Sequence, residues 1–169
     1  MRFTLALLFS LITLTGCAGY RLGNIQGSDM RGVRTIYVPT VKNYSYTANV
    51  PTMVTNAILR RLDNDGTFQS SRSRQADATL EVSVVQVTKN PLRSARTDIL
   101  LTEEYELVLE AKATLTNLKT GQRVFTDRLV KGRTTFYIQQ NGQEAERQAL
   151  PNAADQLANN LVSLITEGW

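Results

Sequence analysis

The sequence predicts an α+β fold: a four-stranded mixed or antiparallel sheet with two helices packed on one face, in the order β-α-β-β-β-α. Three observations carry this. Apolar residues alternate with polar ones over Ala78–Thr88 and again over Glu104–Thr116, the period of a strand with one buried face. They recur at helical spacing at Val54, Ala57, Ile58 and Leu62, and again from Ala154 to Ile165. The strand-like and helix-like segments interleave so that two helices and one sheet close a single two-layered core.

Taken in order, residues 17–32 are rich in Gly, Asn, Gln and Ser and read as a tether before the domain, which is expected over 33–169. Val33–Pro39 is the first strand, ended by Pro39, which has no amide hydrogen to donate. Val41–Asn49 is a polar loop carrying Tyr44 and Tyr46; Asn49 and Pro51 then supply a cap and a first turn for a helix stopped by Asp65-Gly66. A connector over Ser70–Arg74 leads to the second strand, Ala78–Thr88. Its inward set Leu80, Val82 and Val84 changes parity at Val85 and Val87, the signature of a bulge or of two-sided burial.

Lys89-Asn90-Pro91 is expected to break that strand, with Leu92–Leu101 as a connection. The third strand alternates most clearly, with Tyr105, Leu107, Leu109, Ala111, Ala113 and Leu115 on its core face. Thr120-Gly121 turns it into a fourth, Arg123–Thr135, as an antiparallel hairpin. Asn141-Gly142 opens the second helix, whose broad apolar face runs from Ala154 to Ile165, with Pro151 marking a kink or a fresh first turn.

Ahead of the domain, Arg2 and an uncharged apolar run from Phe3 to Leu14 fit the ~7–15-residue apolar region of a secretory signal and fall short of the ~20 residues of a membrane span. Leu14-Thr15-Gly16-Cys17 reads as a lipobox, so residues 1–16 are expected to be removed and Cys17 to be acylated as the first residue of the mature chain. The competing reading is an ordinary signal that happens to contain a cysteine. Two or three acyl chains give a durable membrane anchor where one holds only marginally. Ala18 follows, where some bacteria use aspartate for inner-membrane retention, and this favours the outer membrane.

Composition narrows the chemistry. Cys17 is the single cysteine, so its acylation leaves no thiol for a disulfide. With no histidine in the chain, His-based acid/base catalysis, Ser-His-Asp and Cys-His systems and His-ligated zinc are excluded. There is no Walker A or G-x-G-x-x-G sequence to cradle a nucleotide. Glu103, Glu104 and Glu106 lie close together, but at strand spacing Glu104 and Glu106 share a solvated face. The chain reads as a non-enzyme without cofactor or metal. Its 19 Lys+Arg against 15 Asp+Glu are compatible with an anionic partner, and the positions of the cations matter more than the total.

Several short landmarks follow one another from the lipobox on: Gly16-Cys17-Ala18-Gly19-Tyr20-Arg21-Leu22-Gly23, Thr35-Ile36-Tyr37-Val38-Pro39 with Asn43, Ala57-Ile58-Leu59, Asp65-Gly66 and Ala76-Asp77-Ala78-Thr79-Leu80. Glu104-Tyr105, Thr120-Gly121, Glu146-Arg147-Gln148-Ala149-Leu150 and Glu167-Gly168-Trp169 continue the series. In this order the chain resembles the lipopolysaccharide-assembly lipoproteins, the LptE family. That resemblance implies a periplasm-facing outer-membrane lipoprotein that sits inside, helps assemble and plugs the β-barrel translocon inserting lipopolysaccharide into the outer leaflet. It implies direct lipopolysaccharide contact as a secondary activity, attachment to the membrane by the lipid anchor, and no nucleic acid partner. The rival readings are an auxiliary lipoprotein of an envelope phospholipid transporter and a small periplasmic enzyme, the latter opposed by the missing histidine and free cysteine.

For a lipopolysaccharide head group the candidate ligands are Lys89, Arg93 and Arg96 after the second strand and Lys131 and Arg133 on the fourth. Phosphates and carboxylates favour Arg as a paired donor and Lys as a point charge. The competing reading of each is solvated surface charge. Tyr37, Tyr44 and Tyr46 are candidates for contact with a barrel wall, Tyr37 equally for the core.

Overall fold

The computed structural model describes residues 28–93, 103–138 and 142–167. Cys17, Arg96 and Trp169 lie outside them. The strands are β1 (Thr35–Tyr37), β2 (Lys42–Asn43), β3 (Gln69–Ser71), β4 (Ala78–Arg93), β5 (Glu103–Asn117) and β6 (Arg123–Ile138); the helices are α1 (Val50–Asp65) and α2 (Gly142–Thr166). The α+β class and the two helices against a mixed sheet are as expected, but the described residues form six strands where four were expected. The additional two, β2 and β3, fall in segments read as loop and connector. Two or three residues are too few for alternation to show.

β4, β5 and β6 form an antiparallel meander. β1 and β2 both run parallel to β4 along its other edge, β1 beside Ala78–Thr79 and β2 beside Ser83–Val84, while β3 adds outside β1. A parallel neighbour needs a long crossover, and α1 lies within the one between β1 and β4. α1 stops where Gly66 takes φ +76° and its amide donates to the Leu62 carbonyl. α2 continues through Pro151 without a break.

The core face carries Leu80, Val82 and Val84 of β4, the odd positions Leu107–Leu115 of β5, and Val130 and Phe136 of β6. They pack with Val54, Ala57, Ile58 and Leu62 of α1 and Ala154, Leu157 and Leu161 of α2. The parity change at Val85 is a bulge: Val84 faces Ala111, Gln86 faces Glu110, and Val85 is left over and exposed. Beyond it Val87 opposes Leu109 on the core side.

Two expected boundaries are corrected. Lys89-Asn90-Pro91 does not end β4, which continues to Arg93. In that stretch β4 pairs with β5 on one side only, and an edge strand tolerates a proline that cannot donate. The folded part also begins before Val33: Ser28–Met30 is a short 3-10 turn, and Met30 is buried in the core.

A polar clamp fixes this entry. Asp77 accepts from the amides of Arg34 (2.8 Å) and Thr35 (3.1 Å) and pairs with Lys119 (2.8 Å). The Lys119 ammonium and these amides hold the Asp77 carboxyl well below the usual carboxylate range. Buried Asn117 donates to the Asp29 carbonyl and accepts from the amides of Lys119 and Thr120. The landmark residues Asp77 and Thr120-Gly121 therefore join the N-terminal segment to the β5–β6 turn.

Candidate functional site

Residues directly opposite in an antiparallel pair share a face, so register sorts the candidate cations. Lys131 opposes Glu110, Arg133 opposes Val108 and Tyr137 opposes Glu104, all on the sheet face away from the helices. There Lys131 is bonded to Glu110 at 2.6 Å, Arg133 lies 3.6 Å from Glu106, and the Tyr137 hydroxyl donates to Glu104 at 3.3 Å. Lys89 opposes Leu107 and so falls on the helix side. It pairs with Glu146 of α2 at 3.1 Å and lies 5.7 Å from the centre of the Tyr105 ring, which stacks on Phe136.

The end of β4 and the end of β6 do meet at one end of the sheet, since both pair with the start of β5. The sheet separates Lys89 from Lys131 and Arg133, however, so these three do not form one cluster. Arg93 stands opposite Glu104 in register.

A groove of about 460 Å³ runs between the outer edge of β6 and α2, and it joins Lys131 and Arg133 to groups the sequence did not single out. Arg128 adds a third cation; Leu129, 49% exposed, and Leu164 of α2 supply apolar wall; Gln156 and Asn160 supply amides. The Asn160 amide donates to the Lys131 carbonyl at 2.8 Å, tying α2 to that edge. Leu129 shares parity with Lys131 and Arg133, so an exposed leucine beside two cations was a readable signal. Its meaning depends on α2 lying alongside.

What brings α2 so close is Gly132. A Cβ there would collide with the Ala153 carbonyl oxygen and lie 2.6 Å from the Leu157 nitrogen, so the helix main chain rests directly on the strand. Chemically the groove suits an amphiphile: cations for phosphate or carboxylate, leucines for hydrocarbon. The ion pairs of Lys131 and Arg133 are partly exposed, and such pairs are worth about 0–1 kcal/mol. Among the described residues no group of three or more His, Cys, Asp or Glu is arranged to hold a metal ion, and no helix is long and apolar enough to cross a membrane.

The aromatic loop is held rigidly. Asn43 accepts from the amide and hydroxyl of Ser45 and donates to the Thr47 carbonyl, and the Tyr44 amide donates to Val84. Tyr44 and Tyr46 project into solvent, while Tyr37 is half-buried on the open face in β1.

The fold is a two-layer α+β domain with an amphipathic groove at one sheet edge, and comparison with known proteins gives its family. The LptE family model, described as lipopolysaccharide-assembly, matches residues 33–165, and the chain belongs to that family. No curated protein matches the sequence significantly. Among solved structures, a minor lipoprotein from Acinetobacter baumannii is similar over 80% of this chain and 94% of its own, at 12% identity and a TM-score of 0.53. A protein from Xanthomonas campestris covers 79% and 85% at 14% identity and a TM-score of 0.51. These likenesses are of fold.

Proposed function

We propose that this chain is a lipid-anchored outer-membrane lipoprotein, facing the periplasm, that helps assemble and plugs the β-barrel translocon for lipopolysaccharide and contacts lipopolysaccharide itself. It acts by binding and has no catalytic step. Membership of the lipopolysaccharide-assembly family is the observation that carries this reading. The β6–α2 groove supports the lipid contact: Arg128, Lys131 and Arg133 take head-group phosphates while Leu129 and Leu164 take the adjoining hydrocarbon. Carboxylates of β5 orient Lys131 and Arg133 until an anion replaces them. Lys89, on the other face, acts in holding α2 through Glu146.

The exposed Tyr44 and Tyr46 support barrel contact, since rigid aromatic side chains add contact area at little cost in conformational entropy. Cys17, as the acylated first residue of the mature chain, keeps the domain beside its barrel.

Depletion tests the assignment. Cells lacking the protein are expected to accumulate misassembled partner barrel and to admit large hydrophobic antibiotics, because the outer leaflet is no longer sealed. Normal barrel assembly in depleted cells would overturn it.

A further inference from the structure

Several charges on the open sheet face are matched locally: Lys131 by Glu110, Arg133 by Glu106, and Glu104 by the Tyr137 hydroxyl. Near the start of β4 that matching stops. A groove of about 400 Å³ there holds Arg74, from the connector after β3, and Glu81 of β4. Both are exposed, and neither side chain has an ion-pair or hydrogen-bond partner among the described residues. The two share one groove without pairing with each other, and Lys112, diagonal to Glu81 in the β4–β5 register, forms no ion pair with it either. Tyr37 and Thr79, partners in the β1–β4 ladder, complete the lining with Pro39 and the exposed Leu118. A ligand suited to this groove presents a negative group to Arg74, a positive group to Glu81 and apolar surface to Tyr37 and Leu118. A polypeptide turn with one acidic and one basic side chain supplies all three. An anionic lipid head group supplies only the first and is repelled by Glu81.

The groove lies at the end of the domain where the N-terminal segment enters. Ala78, at the start of β4, pairs with Asn117, whose side chain donates to the Asp29 carbonyl, and the Leu118 amide donates to the Asp77 carbonyl. Ser28 is eleven positions after Cys17, a reach of at most about 40 Å when fully extended. With Cys17 acylated in the inner leaflet and the domain inside its barrel, this end sits at the periplasmic mouth. The opposite insertion would make the tether thread a lumen as deep as the membrane, roughly 40 Å with head groups, and still turn round the rim to the leaflet. The periplasmic turns of such barrels are short. We propose that the groove receives one periplasmic turn of the partner barrel, with an acidic side chain of the turn on Arg74, a basic one on Glu81 and its apolar part on Tyr37 and Leu118. The proposal rests on the plug reading and on acylation of Cys17, and it names the residues of the plug that hold the barrel rim.

Photocross-linking in cells tests it. A benzophenone amino acid takes the place of Leu118 in the full-length protein, and the tagged protein is purified from detergent-solubilised outer membrane after irradiation. The expected adduct joins position 118 to the co-purifying, heat-modifiable barrel, and mass spectrometry should map it to a periplasmic turn. Because Arg74 and Glu81 are exposed and unpaired, Arg74→Gln with Glu81→Gln should leave Tm and the yield of co-purifying barrel unchanged while that adduct is lost. Arg74→Lys alone, which keeps the charge, should retain it. An undiminished adduct in the double variant, an adduct on lipopolysaccharide or phospholipid, or one mapped to the barrel outside its periplasmic turns would overturn the docking. A barrel that co-purifies with no adduct at 118 rejects the docking and leaves the plug reading standing; absence of a co-purifying barrel rejects both.

Discussion

Replacing Gly132 with Ala should be among the most damaging single-atom additions to this domain. The new Cβ would lie 2.8 Å from the Leu157 Cβ and 2.6 Å from its nitrogen, and it would overlap the Ala153 carbonyl oxygen. An ordinary carbon contact is about 3.5 Å, so α2 must retreat by at least about 0.7 Å at Leu157, and further at Ala153. The obstructing atoms are mostly helix main chain, which cannot swing aside as a side-chain tip would. Overpacking of a tight core costs about 1–3 kcal/mol. Retreat of α2 also strains the Asn160 bond to the Lys131 carbonyl, while exchanging a strand glycine for alanine returns somewhat under 1 kcal/mol. A net loss of about 2 kcal/mol follows, or a fall in Tm of roughly 4–8 °C for a domain of this size. Gly121→Ala is the control: its φ of +71° makes alanine strained, but nothing lies within 4 Å, and the cost should be about 1 kcal/mol. Urea unfolding measures both. A Gly132→Ala variant within 0.5 kcal/mol of the parent, or no worse than Gly121→Ala, would refute the close seating of α2 on β6.

Leu109→Asp places a charge between Val87 and Gly132 on the core face and should cost several kcal/mol, enough to unfold a domain of ordinary stability, whereas Thr114→Asp on the outer face should be mild by thermal melting. Asp77→Asn should cost about 2 kcal/mol at pH 7, because a carboxylate holding two amides and Lys119 is replaced by a neutral group. The Asp77 pKa is depressed on folding, so its contribution is present above the ordinary carboxylate range and declines as pH falls through and below it. Urea titrations of parent and variant should converge toward acid; a gap that is constant from pH 7 to pH 3 would contradict this. Changing Arg128, Lys131 and Arg133 together to Gln should weaken lipopolysaccharide binding and reduce its salt sensitivity while leaving Tm nearly unchanged. Exposed charges are screened over about 10 Å at 0.1 M salt, so titration calorimetry at two ionic strengths checks it.

Much of the fold was legible because burial imposes a period. The odd positions of β5 and the spacing of α1 and α2 identify the core directly, and the parity change at Val85 identifies the bulge. That bulge also determines the fate of Lys89: beyond Val85 the odd positions turn inward, so Lys89 follows Val87 to the helix side while Lys131 and Arg133 stay outside. Counting parity through the bulge would have separated them. β2 and β3 escaped notice because two or three residues form no pattern, and β4 was cut short because Pro91 reads as a breaker until its neighbour is known to lie on one side only. The groove was partly readable from Leu129, Lys131 and Arg133, but Leu164, Gln156 and Asn160 join it only through the packing of α2 on Gly132, a tertiary fact that no local spacing encodes.

The proposed part in barrel-mediated lipopolysaccharide assembly stands or falls on affinity purification of the tagged protein from detergent-solubilised outer membrane. A stoichiometric outer-membrane partner that shifts mobility on heating, as a folded β-barrel does, is expected, with lipopolysaccharide retained in the complex. Recovery instead of an ATPase-coupled inner-membrane permease, or of the lipoprotein with no barrel, would contradict it.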